Sequence, residues 1–278
     1  MLEYPEVKTI ARQAQEHIVG KTIQSAEFLS PERKFVFCAN SVEDFHKRLE
    51  GRSIERMHSY GNHLFFITEG DMALNIGDTG GKLLYHTEDK TIPKKKDILI
   101  TFTDGTTLTH SVAMWGFIGA QTPDEMAKSL KHMQDEAIEP IRETSSLDHF
   151  LAFVADYEDA VRTSSKKFII SRKYFTGLGN GYVQDILWHA AIHPRRKMNT
   201  LTEDELGRFF ESFLLVSEKA TAAGGRTTER DLFNQPGGYE PILYRKTLGE
   251  PCTKCGAHIE KFSFEGGACY ICPTCQSL

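Results

Sequence analysis

Two cysteine pairs near the C-terminus have the spacing of a metal site. Cys252 and Cys255 form one C-x2-C pair. After sixteen further residues, Cys272 and Cys275 form a second pair. Each pair offers two thiolates from one tight turn, and four thiolates are the ligand set that tetrahedral zinc prefers in structural sites. The spacing therefore predicts a four-cysteine ribbon that holds one structural zinc ion.

Two further residues are alternative zinc ligands, so the sequence alone does not decide which four residues bind the ion. Cys269 makes another C-x2-C with Cys272, and His258 is a weaker alternative ligand. Five of the six cysteines lie in the last 27 residues, whereas disulfide scaffolds spread their cysteines along a secreted chain. A redox role is the competing interpretation, but two spaced pairs favour zinc, and a closed site of this kind performs no catalysis.

A Gly-Leu-Gly-Asn turn near the middle of the chain is the second candidate site. Gly177 and Gly179 are predicted to end one helix, and Asn180 is predicted to cap the next. From position 162 to 197 there are eight Lys or Arg residues against the single acid Asp185. One interpretation is an ordinary helical hairpin with a solvated basic face. The other is a two-helix clamp on a nucleic-acid phosphate, because a helix N-terminus favours an anion.

The composition limits the classes of protein that remain. The chain has 278 residues and a net charge of −5, so polyanion binding has to come from local basic patches rather than from the whole surface. No apolar run is long enough to span a membrane, and the N-terminus lacks the order of a signal peptide. These features predict a cytoplasmic protein that does not bind membranes.

The pattern of apolar residues predicts an α+β fold. A helix is expected after Pro5, with one apolar face and an end at Gly20. From Lys21 to about Ala120, short β-type runs separated by turns predict a β-sandwich or barrel, with a hairpin at Asp104-Gly105. Helices are expected after Pro123, and the predicted strands and helices are as follows: strands 35–37, 64–67, 73–76, 83–85, 98–100 and 107–109; helices 124–133, 146–161, the two flanks of the turn, and 202–222.

Three separated motifs together resemble the formamidopyrimidine-DNA glycosylase and endonuclease VIII family. They are the N-terminal Glu-Tyr-Pro-Glu-Val, the Gly-Leu-Gly-Asn turn, and the terminal ribbon that ends Cys-Pro-Thr-Cys-Gln. The resemblance covers essentially the whole chain. It implies an N-terminal helix and β-sandwich domain over 1–122, a helix-two-turns-helix DNA-binding domain over 123–235, and a zinc-finger hairpin over 236–278.

The resemblance also implies a DNA-repair enzyme that flips a damaged base out of the duplex. Members of the family usually use an N-terminal proline amine as nucleophile, and an adjacent glutamate acts as general acid and base. Glu3 matches that glutamate and Glu6 matches the second acid of the motif, but position 2 is Leu2. Because a bulky second residue hinders removal of Met1, the Met1 amine becomes a displaced candidate nucleophile.

The resemblance implies further DNA contacts, and this sequence keeps some of the residues that make them and replaces others. Asn180 and Gly179 match the family's phosphate-binding turn, and Lys166 lies near a family lysine that contacts the backbone. Asn62 replaces a family lysine. Asp78 stands where the family has a void-filling methionine, and Gly267 stands where it has the arginine at the tip of the zinc finger. Met114 and Trp115 replace the family's wedge residues and are expected either to insert between bases or to pack in the sandwich.

Three functions follow from these expectations, in order of preference. The first is a DNA glycosylase in which Glu3 activates water and abasic-site lyase activity is weak or altered, acting as a monomer on double-stranded DNA with a damaged base or abasic site. The second is a non-catalytic reader of damaged DNA. The third is a zinc-ribbon module for protein interaction. In a bacterium the protein is expected in the cytoplasm, associated with the nucleoid.

Overall fold

The computed structural model describes residues 1–141 and 145–278. The described residues form two compact units. The first contains 1–134 and 221–238, and the second contains 135–220 and 239–278. The α+β fold is confirmed, whereas the division into three segments stays a prediction. Among the described residues, no helix combines the length and the apolar character needed to cross a membrane.

The first unit is a β-sandwich preceded by a helix. One sheet has the strand order β1-β7-β8-β6 and the other has the order β2-β9-β5-β4-β3, and both contribute residues to one buried core. The elements are α1 (Tyr4–His17), β1 (Ile23–Phe28), β2 (Val36–Cys38), α2 (Val42–Leu49), β3 (Ile54–Tyr60), β4 (His63–Thr68), β5 (Ala73–Gly77), β6 (Gly81–His86), β7 (Ile98–Phe102), β8 (Thr107–Val112), β9 (Gly116–Gln121) and α3 (Pro123–Glu136).

The predicted helix and hairpin of this unit form as expected. Val7, Ile10 and Ala14 are fully buried on one face of α1, which fits a period of 3.6 residues. Gly20, just beyond the helix, adopts a positive φ of 88° that glycine accepts without strain. Gly105, with φ at 85°, likewise turns the chain between β7 and β8, whose strands pair antiparallel.

Four elements of the sandwich were not predicted, namely β1, α2, β3 and β9. The burial of β3 explains one of these omissions. Its Ile54 and Tyr60 are buried, but the residues between them are exposed or half-buried, so the apolar and polar residues do not alternate. Strand β3 is the edge strand of the five-stranded sheet, where one side of the strand has no neighbour in the sheet to enforce alternation.

The second unit is helical and ends in the ribbon. Its elements are α4 (Leu147–Ala155), α5 (Ser165–Ile170), α6 (Val183–His189), α7 (Glu203–Ala222), β10 (Glu260–Phe264) and β11 (Gly267–Ile271). The helix predicted over 146–161 ends earlier, at Ala155, and a separate 3-10 turn follows at Glu158–Val161. Aromatic rings pack edge to face around Phe150 and Phe168, which gives this unit an aromatic core.

Candidate active site and nucleic-acid interface

The four cysteines of the two spaced pairs converge at the base of the ribbon. All four Sγ atoms lie within 4.8 Å of one another. The Sγ atoms of Cys252 and Cys275 are 3.9 Å apart, and those of Cys255 and Cys272 are 3.3 Å apart. Tetrahedral zinc with bonds of about 2.3 Å to sulfur requires thiolates roughly 3.8 Å apart, so this donor set fits the ion. The chain therefore carries one structural zinc ion.

The alternative ligands suggested by the sequence lie elsewhere. Cys269 is fully buried within β11, and its Sγ lies 4.0 Å from the Phe264 carbonyl oxygen rather than in the thiolate cluster. Burial raises the pKa of this thiol, which suits a neutral packing residue rather than a thiolate ligand. His258 contacts the Gly249 carbonyl through Nδ1 at 2.8 Å. Neither residue belongs to the cluster.

The indole of Trp188 supports one thiolate from outside the cluster. Its Nε1–H donates to Cys252 Sγ at 3.4 Å, and the ring packs in the small core beneath the ribbon. A donor of this kind orients a thiolate and stabilises its charge. The Lys254 ammonium lies 3.9 Å from the centre of the same ring, a cation–π contact that holds the first knuckle against α6.

The central turn differs from its predicted form. Helix α5 ends at Ile170, before either glycine, and Arg172 takes the left-handed conformation with φ at 55°. The N-cap of α6 is Tyr182 rather than Asn180, because the Gly179 carbonyl first accepts hydrogen bonds from the backbone N–H groups of Tyr182 and Val183. Gly179 is thus buried within the turn, whereas Asn180 is exposed.

Lys166, which was predicted to contact DNA, lies inside the protein. Its side chain is 0% exposed, and its Nζ donates to the Phe264 carbonyl at 2.7 Å. A buried ammonium that already serves the tip of the ribbon hairpin is not placed to bind a phosphate directly. The ammonium also approaches Gly267, where an added Cβ would lie 3.6 Å from Nζ and 3.5 Å from Asn180 Oδ1. Lys166 therefore joins the central turn to the ribbon.

Asp185, the single acid of the basic segment, is also structural. The carboxylate is buried and accepts the Tyr239 hydroxyl at 2.8 Å. It also accepts the backbone N–H groups of Ile242 and Leu243, each at 2.9 Å. Burial, together with this carboxylate, raises the pKa of Tyr239 and keeps the phenol protonated. Asp185 thereby fixes the segment that leads into the ribbon.

The N-terminal acids belong to a buried cluster of charges around Arg226. Glu6 accepts four hydrogen bonds. Its Oε2 receives the Glu3 backbone N–H at 2.9 Å and Arg226 Nη2 at 3.2 Å. Its Oε1 receives the backbone N–H of Arg226 at 2.9 Å and Nε at 3.0 Å. A carboxylate that accepts four hydrogen bonds stabilises the fold rather than exchanging protons. These contacts therefore do not support the catalytic role predicted for Glu6.

Glu3 lies in the same cluster. Its carboxylate is buried, and Oε1 lies 3.6 Å from Arg226 Nη1, a longer contact than any that Arg226 makes with Glu6. The Glu3 side chain also accepts the backbone N–H of Glu6 while the Glu6 side chain accepts that of Glu3, which completes a capping box at the start of α1. The structure therefore brings Glu3 to a rigid helix start beside a guanidinium.

The α-amine of Met1 is ordered in the same cluster. It pairs with Glu229 Oε1 at 3.1 Å, and the Met1 carbonyl accepts Arg226 Nη2 at 2.8 Å. The next residue anchors this geometry, because the Leu2 side chain is buried in the sandwich core and its N–H donates to the Thr79 carbonyl at 2.9 Å. Leu2 thus acts as a hydrophobic anchor for the N-terminus.

The Asn62 side chain is hydrogen-bonded to another residue of the protein. Its side chain is buried, and Nδ2 donates to Asp78 Oδ1 at 2.8 Å, so its predicted phosphate contact is not supported. Asp78 also lies 3.5 Å from His63 Nε2, and its backbone takes a positive φ of 46°. The Asp78 carboxylate therefore fixes the turn between β3 and β4 to the loop after β5.

Met114 and Trp115 stand in the open at the turn between β8 and β9. Met114 is 78% exposed and Trp115 is 50% exposed, so the expectation that they pack inside the sandwich is wrong. Met114 has a positive φ of 71°, which is unusual for a residue with a side chain and marks a strained turn. The turn is hydrogen-bonded to the loop after β5, since the Gly80 N–H donates to the Trp115 carbonyl at 3.1 Å.

Two members of the charge cluster were missed in the sequence, Arg226 and Glu229. Both lie about 220 positions or more from the acids and amine that they contact, in a segment marked only by its glycines. The Gly224-Gly225 pair was the available signal. An added Cβ on Gly225 would lie 2.8 Å from Glu6 Cγ, so the backbone approaches Glu6 too closely for any side chain.

Family models match all three parts of the chain. The formamidopyrimidine-DNA glycosylase N-terminal domain matches residues 1–112, and the H2TH domain of the same enzyme matches residues 136–231. A zinc finger found in FPG and IleRS matches residues 249–278. With the sandwich, the helical unit and the cluster of four cysteines, these matches define a zinc-containing DNA glycosylase that binds damaged DNA.

Individual relatives match over nearly the whole length. The formamidopyrimidine-DNA glycosylase of Enterococcus faecalis is 30% identical over 100% of this chain and 98% of its own. That of Streptococcus pneumoniae R6 is 29% identical over 99% of both. The structure of Lactococcus lactis Fpg (MutM) bound to DNA containing N7-benzyl-Fapy-dG has a TM-score of 0.88 and 27% identity, and covers 99% of this chain and 100% of its own. The chain belongs to the formamidopyrimidine-DNA glycosylase family.

Proposed function

We propose that this protein excises a damaged base from double-stranded DNA with Glu3 as the group that activates water. One observation carries the proposal. Glu3 is held at the fixed start of α1, 3.6 Å from Arg226 and in the same cluster as the chain's α-amine. The Glu6 carboxylate is bound more closely, by three hydrogen bonds from Arg226. Glu6 is therefore engaged by Arg226, and we assign the proton exchange with water to Glu3, the acid that matches the family's catalytic glutamate.

The chemistry needs a carboxylate in a defined position. As the bond between base and sugar breaks, C1′ of the deoxyribose becomes electron-poor, and water attacks it while the carboxylate removes a proton. The base leaves with the bonding electrons and is protonated from solvent. The Glu3 carboxylate is buried, and the Arg226 guanidinium supplies a positive charge beside it. We expect the nucleotide and its water to approach Glu3 away from the Arg226 guanidinium.

The geometry at Met1 supports weak lyase activity. A Schiff base requires the amine lone pair to point at C1′, but the ion pair directs the ammonium protons at Glu229 at 3.1 Å. The Met1 carbonyl is held in turn by Arg226. Covalent attack by Met1 requires both contacts to break first.

The proposed DNA contacts are the exposed groups of each unit. In the helical unit the exposed Asn180 amide is proposed to bind a phosphate, since direct phosphate contacts commonly come from such side chains. In the sandwich unit, Met114 and Trp115 present apolar bulk suited to insertion between base steps. Lactococcus lactis Fpg has been solved with DNA that contains an abasic site, and we extend that ligand to this chain as a monomer acting at the bacterial nucleoid.

The test uses duplexes that carry an oxidised purine, a formamidopyrimidine, an oxidised pyrimidine or an abasic site. Wild-type protein is expected to release a base from at least one duplex, with little adduct trapped by borohydride on abasic DNA. Glu3→Gln is expected to lower release at least about 100-fold, in the range of general-base catalysis. Glu16→Gln, an exposed acid on the same helix, serves as the control.

Three outcomes contradict the proposal. Release that persists in Glu3→Gln removes Glu3 from the chemistry, and efficient borohydride trapping by wild type assigns the attack to an amine. Tight binding to damaged duplexes without release of any base makes the protein a reader of damage. Whichever outcome is found, binding of the protein to duplex DNA should weaken steeply as the salt concentration rises if contacts with phosphates supply the affinity.

A further inference from the structure

A row of exposed aromatic rings lies on the outer face of the five-stranded sheet. One end of this face is covered, because Met126, Leu130 and Met133 of α3 pack against a small buried cluster there. The other end is open to solvent. Phe35 is 54% exposed and Phe37 is 59% exposed, values that are unusual for rings of this size.

The strand register places four rings on the same surface. Strand β2 pairs parallel with β9, with Val36 opposite Gly116 and Phe37 opposite Phe117. Because side chains alternate along strands, Phe37 projects to the same side as Phe117. Phe35 and Trp115 come immediately before these strands and are in phase with Phe37 and Phe117. The Gly116 N–H donates to the Phe35 carbonyl at 3.1 Å, which extends the pairing to the start of the row. We call Phe35, Phe37, Trp115 and Phe117 the aromatic platform.

Positive charge borders the platform. The Lys34 ammonium lies 5.7 Å from the centre of the Phe35 ring. Arg33 is 45% exposed and, with Lys94 and Lys95, lines a surface cavity that reaches Val112, close to the turn that carries Trp115. One cation therefore lies against a platform ring, and others line a cavity that ends two residues before the turn residue Met114.

Two acids lie near this charge. Asp97, which lines the same cavity, is bound by both of its oxygens to Arg33 at 2.6 and 2.7 Å. Glu32 is exposed on the loop before Arg33. Across 32–34 and 94–97, five Lys or Arg residues stand against these two acids, so the rim is net positive.

We infer that the aromatic platform binds unpaired bases of single-stranded DNA. Exposed rings stack on the faces of bases, and the neighbouring cations attract the phosphates between them, a combination typical of proteins that bind single strands. In a fully paired duplex the base faces are covered by their neighbours, so apart from the insertion proposed for Trp115 at the damaged site, the rings of Phe35 and Phe37 have no base face to stack on. The protein therefore has a second mode of DNA binding, which extends its substrates to gapped, bubble or single-stranded DNA. This mode goes beyond the proposed excision and does not require Glu3.

Tryptophan fluorescence reports the contact directly. The chain has two tryptophans, and Trp188 is buried beneath the zinc ribbon, so stacking by a base should quench mainly Trp115. Titration with an oligo-dT long enough to span the platform, about 15 nucleotides, is expected to quench the wild-type signal. Trp115→Phe should lose the quenching but still bind, because phenylalanine keeps a ring at that position. An unquenched wild-type signal under saturating oligonucleotide contradicts the inference.

Affinity measurements separate stacking from general apolar contact. The double variant Phe35→Leu with Phe37→Leu is expected to weaken oligo-dT binding by roughly tenfold or more, since each stacked base typically contributes about 5- to 150-fold. Phe35→Tyr with Phe37→Tyr should bind like wild type, because the rings remain. Val161→Ala, a change at an exposed apolar residue of the helical unit, is the control for general surface effects.

The comparison of single strand with duplex decides the result. The leucine variant should lose more affinity for oligo-dT than for a fully paired duplex of the same length. Equal losses on both, or no loss on oligo-dT, overturn the inference. Wild-type self-association that the leucine variant abolishes without any change in oligo-dT binding also overturns it, because the rings then serve a protein contact. None of these readouts depends on base release, so they are independent of the test of Glu3.

Discussion

Arg226 and Glu6 are joined by three hydrogen bonds, one from the arginine backbone at 2.9 Å and two from its side chain at 3.0 and 3.2 Å. The pair is buried, and Arg226 also contacts Glu3 and the Met1 carbonyl. One guanidinium therefore ties the chain start to a segment 220 residues later. The geometry of the N-terminal acids depends on this residue.

Removal of the Arg226 guanidinium should destabilise the first unit strongly. Arg226→Met leaves two buried carboxylates without this cation, and breaking a buried ion pair in this way typically costs about 3–5 kcal/mol. Urea unfolding monitored by circular dichroism measures the change in the free energy of unfolding. Arg12→Met, at an exposed i,i+4 pair on α1, should change it by less than about 0.5 kcal/mol. Equal stabilities of the two variants would show that the cluster is not a stabilising element.

Gly225 should not tolerate even the smallest side chain. Its φ is 92°, and an added Cβ would meet Glu6 Cγ at 2.8 Å. Gly225→Ala is expected to lose about 1–2 kcal/mol for the left-handed backbone, and more for the contact. Gly20→Ala is the matched control, because Gly20 has φ at 88° but no atom within 4 Å of the added Cβ. Thermal unfolding of both variants should rank Gly225→Ala lower, and the reverse order contradicts the close approach.

Glu229 should restrain the Met1 amine. Glu229→Gln removes the carboxylate of the ion pair, so the amine becomes able to turn away and reach C1′ of an abasic nucleotide. Borohydride trapping on abasic duplex DNA is expected to rise several-fold over wild type. The same substitution at Glu16, an exposed acid that pairs with Arg12, should leave trapping unchanged. A level of trapping that does not rise in Glu229→Gln means that the ion pair does not limit covalent attack.

Zinc content should distinguish the buried cysteine from the four clustered ones. Cys272→Ser removes a ligand and is expected to lose the metal and unfold the ribbon, because binding of structural zinc supplies much of the folding free energy of such hairpins. Cys269→Ser should retain one zinc per chain, as its sulfur lies outside the cluster. Metal analysis of the purified variants measures both. Loss of zinc from Cys269→Ser would instead place that sulfur among the ligands.

His110 should make the first unit sensitive to mild acid. Complete burial lowers its pKa to about 4, whereas an unfolded histidine titrates near 6.5. The unfolded state therefore binds a proton more readily, so stability is complete above about pH 6.5 and falls as pH decreases toward 4, by up to about 3 kcal/mol. Unfolding free energies at neutral pH and near pH 4.5 should differ less in His110→Gln than in wild type. His17→Gln, an exposed site, is the control and should keep the wild-type difference. An unchanged difference in His110→Gln assigns the acid sensitivity to other groups.

Features set by local spacing were predictable from the sequence. The four zinc ligands come from two tight turns whose spacing alone brings each pair together. Helix α7 also matches its prediction, because a long run with one apolar stripe has few alternative structures. The hairpin at Gly105 follows from a turn that needs a positive φ.

Side chains with distant partners were predicted less well. Asn62, Lys166 and Asp185 have the same residue types whether they face DNA or the protein interior. Only the folded chain shows that their donors and acceptors are already in use. The Asn180 cap failed for a related reason, because a turn stabilised by the Gly179 carbonyl moves the N-cap of α6 to Tyr182.

The sequence by itself determined the fold class, the zinc ribbon and the family, because these depend on residue types at short and regular separations. The tertiary structure alone decided which N-terminal acid is bound most closely by a cation and where the α-amine is held, since that depends on Arg226 and Glu229 approaching from the far end of the chain. It also decided that Phe37 and Phe117 are neighbours on one face of a sheet, because strand register, not sequence distance, sets which side chains are neighbours in a sheet.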